Sequence, residues 1–241
     1  MGQARDAGVP VPQLLLVDAI AAEDGSTRPT MVLAAAEGTE ISRRSDLSPA
    51  DRSVVLRRAG EVLARLHTVR TPGFWRAAAD GSWPTGDWES LMDRFVDGRA
   101  AERALIVSTG FTDAESDRML DLMRSYTREF PCRQPVLCQG DFQLDHIFID
   151  DTLHVSGLID FGMFGGGPPV GDFACMTYAL PPSDVDAILA GYGLPTRAQR
   201  RAIDLHTIGV AIGNLAHEVG IGDTVSAERG ARSLAATLRR L

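Results

Sequence analysis

Two aspartates bracket a short apolar hairpin in the middle of this 241-residue chain, and that arrangement limits the folds open to it. Residues 146–150 and 153–159 are rich in β-branched and aromatic side chains and are separated by Asp151 and Thr152, which reads as two strands joined by a tight turn. Asp141 lies before the hairpin, Asp160 directly after it, and Asp172 a loop later. A hairpin holds the residues at its two ends near each other. Asp141 and His146 on one side and Asp160 on the other are therefore expected to converge at its open end. Phosphoryl transfer needs such a set: one carboxylate to orient and deprotonate the attacking hydroxyl, and a second carboxylate with a further ligand to hold divalent metal on the phosphates. Here position 146 follows Asp141 by five residues and precedes Asp160-Phe161-Gly162 by fourteen. A lone Asp-Phe-Gly is common by chance. Turn-forming aspartates at hairpin ends explain each acid singly, but not the set at this spacing.

Charge and residue usage remove several function classes. Twenty-four basic against 32 acidic residues give a net charge of −8, a poor balance for non-specific nucleic-acid binding. A cationic small molecule suits it better. Every basic residue is arginine and no lysine occurs. A lysine Schiff base, a phosphate loop ending in Gly-Lys-Ser/Thr, and a kinase-type phosphate-binding lysine supplied by this chain are thereby excluded. Cys132, Cys138 and Cys175 are odd in number and form no Cys-x-x-Cys, which reads as free thiols in a reducing cytoplasm. The N-terminal residues lack a signal-peptide pattern. No apolar run approaches the ~18 residues of a membrane span, so no membrane partner is expected.

Along the chain, residues 13–18 and 30–35 read as two strands joined by a polar turn region at 21–28. A lone pair of strands is marginal in water, so something must cover it. Helices dominate afterwards. Ser48-Pro49-Ala50-Asp51 reads as a helix start, followed at helical spacing by Val55, Ala59, Val62, Leu63 and Leu66. Further helices are expected over 88–96, 113–129, 183–189 and 197–219, the last opening with a Thr196/Gln199 capping box. Residues 71–86 read as a surface loop, and Gly165-Gly166-Gly167 as a flexible loop rather than a phosphate cradle. His67 reads as a structural helix-end histidine. His206, Asn214, His217 and Glu218 read as a solvated polar face of the last expected helix.

Several motifs together resemble the aminoglycoside phosphotransferase family, a branch of the kinase-like fold that includes macrolide-phosphotransferase-like members. The resemblance is most specific over 136–176: Gln139-Gly140-Asp141-Phe142, then His146-Ile147-Phe148-Ile149-Asp150, then Ile159-Asp160-Phe161, then Asp172-Phe173-Ala174. Upstream, Gly60 to His67 is similar to that family's helix ending in Leu-His, Gly8-Val9-Pro10-Val11-Pro12 to its lead into the fourth strand, and 31–38 to its hinge. The resemblance implies an α+β, protein-kinase-like fold. Residues 1–40 would be the remnant of an N-terminal β lobe with hinge. Residues 41–241 would be a mainly helical C-terminal catalytic lobe carrying the catalytic hairpin, 139–160.

The resemblance also implies roles. Asp141 is the expected catalytic base, and His146 and Asp160 the expected Mg²⁺ ligands. Gln139 and Asp172 are expected to support the catalytic loop, Asp172 also capping its own helix. Leu33, Ala34 and Ala35 are the expected hinge against the base of ATP or GTP. The expected partner is a small-molecule hydroxyl acceptor, antibiotic-like or amine-bearing, as in antibiotic resistance; the oligomeric state is not read. Two departures stand out: His146 replaces the family's Asn, and Gln139 replaces its first His. The family's Gly-rich hairpin, strand lysine and following helix glutamate would all precede Met1. The rival expectations are a catalytically silent member that binds a small molecule or a protein, and a metal-dependent hydrolase, which lacks further ligands at metal-site spacing. Apolar strand surface left uncovered is expected to drive self-association.

Overall fold

The computed structural model describes residues 1–21, 25–78, 80–193 and 196–241. The chain opens with a short helix, α1 (Gly2–Asp6), and a hairpin of β1 (Leu14–Ala21) and β2 (Thr27–Leu33). There follow β3 (Thr39–Glu40), α2 (Pro49–Leu66), α3 (Trp88–Ala101), α4 (Arg103–Ser108) and α5 (Asp113–Glu129). The central part holds β4 (Val136–Cys138), β5 (Ile147–Ile149), β6 (Val155–Leu158) and β7 (Gly165–Gly167). Four helices close the chain: α6 (Val170–Ala179), α7 (Pro182–Tyr192), α8 (Arg197–Gly220) and α9 (Thr224–Arg240).

Local chemistry accounts for the helix starts. Ser48 Oγ accepts from the Asp51 amide with Pro49 in the first turn of α2. Thr112/Glu115 and Thr196/Gln199 form complete capping boxes on α5 and α8. One core lies between α2, α6, α7 and the β5–β6 hairpin, built on Leu56, Leu63, Leu66, Ile147, Leu158 and Phe173. A second joins α5, α8 and α9 through Met119, Met123, Ile208, Leu215 and Leu234. Burial of apolar side chains along its length, from Ala202 to Leu215, makes α8 a central helix of the fold.

The structure modifies the sequence reading in several places. The first forty residues are not purely β, because Ala4 and Val9 are buried in the main core and draw residues 2–6 into a helix turn against α2. The strand pair is longer than expected, running to Ala21 and from Thr27 antiparallel, with a register shift between Leu14 and Leu16; residues 22–24 of the expected turn lie outside the described residues. Gly165–Gly167 is a strand, not a flexible loop: it pairs antiparallel with β4 from Val136↔Gly167 to Cys138↔Gly165. Glycine is needed because a Cβ on Gly166 would sit 2.0 Å from the carbonyl oxygen of Gly73. The same contact anchors the segment read as a surface loop, where Phe74 pairs with Thr85, and Trp75 with Gly166. Sequence periodicity also missed α4 and α9, and placed the ends of α3 and α7 several residues too early.

Candidate active site

The turn after β4 carries the first group of expected site residues. Gly140 has φ of +85°, and a Cβ there would meet the Met163 carbonyl oxygen at 2.2 Å. The backbone thus folds onto the segment after Asp160 in a conformation open to glycine. Gln139 is fully buried and bolts the two sides of the hairpin together. Its Nε2 donates to the carbonyls of Ile159 (3.1 Å) and Asp160 (2.7 Å), while its Oε1 accepts from the Asp141 amide at 2.6 Å.

Asp172, also without exposed surface, holds the same turn from below. Its Oδ1 accepts from the Gly140 amide at 2.7 Å. Its Oδ2 accepts from the Gln139 amide at 2.9 Å and from His67 Nε2 at 3.0 Å. The side chain does not cap α6, which has no side-chain cap, because the loop amides and His67 take both oxygens. His67 is a structural helix-end residue, and its Nδ1 meets the Tyr192 hydroxyl at 2.9 Å. Beneath the turn, burial first and the Asp172 carboxylate second push the Cys138 and Cys175 thiols well up. Neither is a thiolate nucleophile at neutral pH.

At the open end of the hairpin the structure brings together Asp141, His146 and Asp160. His146 Nδ1 lies 2.8 Å from the Asp141 carbonyl oxygen. A carbonyl only accepts, so Nδ1 carries a hydrogen, and in the neutral ring the lone pair then sits on Nε2. That Nε2 stands 3.6 Å from Asp160 Oδ2 and 3.9 Å from Asp145 Oδ1. Asp141 Oδ2 is 3.7 Å from the other ring nitrogen, and Asp141 Oδ1 accepts from Gln143 Nε2. Asp160 adopts a left-handed conformation, φ +54°, in which its Oδ1 accepts from the Gly162 amide at 3.2 Å and Oδ2 is left toward His146. With the ring neutral, this nitrogen and the Asp160 and Asp145 carboxylates would offer one nitrogen and two oxygen donors to a divalent cation, oxygen being what Mg²⁺ favours.

The expected hinge meets the same hairpin. Leu33 ends β2, the Ala34 amide donates to the Gln13 carbonyl at 2.8 Å, and Ser156 Oγ donates to the Glu37 carbonyl at 2.6 Å.

A cavity of about 330 Å³ adjoins Gly140 and lies between α3, α8 and the β7 strand. His206 and Asn214 line it; the expected solvated face of α8 is turned inward at His206, whereas Asn214 and His217 are exposed as that reading has them. His206 stacks on Phe95 and meets Tyr126 edge-on; its Nδ1 is enclosed with no hydrogen-bond partner among the described residues. Burial pulls its pKa down to about 4, leaving the ring neutral at pH 7. Glu218, by contrast, accepts from the Tyr178 hydroxyl at 2.7 Å. Sequence reasoning missed Trp75, Arg76, Phe95 and Arg99 as lining residues. They come from a loop and a helix far from the catalytic segment, and no spacing signal links them to it.

The profile of the phosphotransferase enzyme family matches residues 1–203. No curated protein matches the chain by sequence. Among solved structures, a thermostable mutant of aminoglycoside phosphotransferase APH(4)-Ia in its apo form is similar with a TM-score of 0.75 at 18% identity, over 97% of this chain and 78% of that one. A ternary complex of that enzyme with ADP and hygromycin B gives 0.72 at 16% identity, over 96% and 77%. The GDP complex of wild-type aminoglycoside 2'-phosphotransferase-IIIa gives 0.66 at 16%, over 95% and 75%. At these identities the likeness speaks for the fold, and the family profile for descent: the chain belongs to the phosphotransferase enzyme family and has the kinase-like α+β fold of the aminoglycoside phosphotransferases.

Proposed function

We propose that the chain moves the γ-phosphoryl group of ATP or GTP to a hydroxyl of a small molecule, with Asp141 as base and Asp160 and His146 as ligands of Mg²⁺. The observation that carries this reading is the convergence of His146 on Asp141 and Asp160, within 3.7 Å of each, on a turn braced by buried Gln139 and Asp172. Mg²⁺ held there supplies charge neutralisation on the donor phosphates. Asp141 orients the acceptor hydroxyl and takes its proton as the oxygen–phosphorus bond forms and the bond to the β-phosphate oxygen breaks. The backbone of Leu33, Ala34 and Ala35, tied to the catalytic hairpin through residues 34–38, takes the edge of the nucleotide base. The cavity beside Gly140 takes the acceptor, its hydroxyl directed at Asp141.

The structural neighbours include complexes with ADP, with GDP and with hygromycin B. Those ligands support a nucleotide donor and an antibiotic-like acceptor here. The test is transfer of labelled phosphate from ATP and from GTP to a panel of hydroxyl compounds in the presence of Mg²⁺. Asp141→Asn is expected to lower turnover on the order of 10²–10⁴-fold while leaving nucleotide affinity in place. Turnover within about threefold of the parent would remove Asp141 from the base role.

A further inference from the structure

The cavity beside the catalytic turn has an unusual charge for a site that would receive a polyamine. Its walls are largely apolar, with Trp75, Leu91, Phe95, Met163 and Phe164 facing the space. Among the described residues its only cationic side chains are Arg76 and Arg99, and its only carboxylate is Asp172. Both Asp172 oxygens are already taken by the Gln139 and Gly140 amides and His67, so among the described lining residues no free carboxylate faces the ligand space. His206 is neutral there at pH 7. Arg99 is paired one-to-one with Glu102 through Nη1 at 2.6 Å and lies 5.2 Å from the centre of the Phe95 ring, while its Nε, a donor, has no hydrogen-bond partner among the described residues. Arg76 has no carboxylate partner among the described residues; it lies against Met163 Sδ and 6.0 Å from the centre of the Trp75 ring. Asp141, Asp145 and Asp160, the acids nearest in the site, lie outside this lining.

An ammonium group entering such a space meets the Arg76 guanidinium and the Arg99–Glu102 pair and loses water without gaining a free counter-ion. An apolar body gains from leaving water, and a carboxylate gains charge-assisted hydrogen bonds from arginine. Building on the phosphotransferase reading above, we infer that the acceptor is a hydroxyl compound with a mainly apolar body and an anionic group, held with the anion at Arg76 and Arg99 and the hydroxyl toward Asp141. The sequence-based expectation of an amine-bearing acceptor followed from the acidic charge and the family resemblance; the lining of this cavity favours an anionic group.

The test uses three matched probes: 12-hydroxydodecanoate, its methyl ester, and 12-aminododecan-1-ol, each titrated calorimetrically into the full chain below its aggregation concentration. The carboxylate is expected to bind about tenfold tighter than the ester, and the amine more weakly than the ester. Arg76→Gln, at an exposed position and checked for an unchanged melting curve, is expected to bring the carboxylate to within about threefold of the ester. Equal or tighter binding of the amine, no carboxylate binding at millimolar concentration, or an unchanged preference in Arg76→Gln would each overturn the inference. Nucleotide binding in the same samples separates the two claims. ATP or GTP binding with an amine-preferring cavity overturns the acceptor class alone. Loss of nucleotide binding overturns the phosphotransferase reading beneath it.

Discussion

Replacing Asp172 with Asn keeps the shape of the side chain and removes one acceptor position. In the native structure one carboxylate oxygen accepts from the Gly140 amide and the other from the Gln139 amide and His67 Nε2, at 2.7–3.0 Å. An amide has a single oxygen, so its NH₂ must face an N–H that already points toward it. At least one hydrogen bond to a charged acceptor is lost, about 1.5–3 kcal/mol, and a buried donor is left unpaired. Asp172 has no exposed surface, so solvent does not soften the loss. The expected destabilisation is about 2–4 kcal/mol, a large part of the about 5–15 kcal/mol that stabilises an ordinary domain. For a chain of this length it lowers Tm by roughly 5–15 °C. Urea unfolding gives the stability change, and amide hydrogen exchange shows where it acts. The Gln139 and Gly140 amides are expected to lose protection ahead of the α8 core. A stability change under about 0.5 kcal/mol, with unaltered exchange at those two amides, would refute the claim that Asp172 holds the catalytic turn.

Gly166→Ala places a Cβ 2.0 Å from the Gly73 carbonyl, a backbone atom that cannot move aside. It is expected to cost about 3 kcal/mol or more in denaturant melts and to weaken acceptor binding before nucleotide binding. Stability should also fall in acid through His206, whose pKa is about 4 folded against 6.5 unfolded. The unfolded chain binds more protons between those values, so the contribution is complete above about pH 6.5 and lost toward pH 4, by at most roughly 3 kcal/mol. His206→Phe should flatten that slope in melts taken across the range, and an unchanged slope would assign the acid loss to other groups. The β1–β2 hairpin exposes Leu15, Leu16, Val17, Ile20 and Met31, each more than half accessible, and the chain is expected to self-associate. Light scattering after size exclusion should show species above the 25.9 kDa monomer that shrink with Val17→Glu; a monodisperse monomer at high concentration would contradict this.

What was legible in the sequence was local. The strand–turn–strand pattern at 146–159 fixed which ends meet, and the distances from His146 to Asp141 and Asp160 follow from that topology. Capping residues placed the starts of α2 and α8 for the same reason, since a cap is read within four residues. What escaped depends on distant partners. Gly165–Gly167 carries no strand propensity and becomes a strand only because β4 lies beside it and Gly73 presses on it. His206 looks like part of a polar stripe until Phe95 and Tyr126 enclose its ring beside the cavity. Asp172 was read as holding the loop, but its release from capping duty reflects His67, more than a hundred residues away.

The central claim is that Asp160 and His146 place a divalent cation on nucleotide phosphates at the mouth of this hairpin. The most direct measurement is calorimetric titration of ATP and of GTP with Mg²⁺ into the chain and into Asp160→Asn. We expect binding by the parent that requires Mg²⁺ and falls at least about tenfold in the variant, with circular dichroism unchanged. Absence of Mg²⁺-dependent binding in the parent, or equal affinity in the variant, would contradict the assignment of this site.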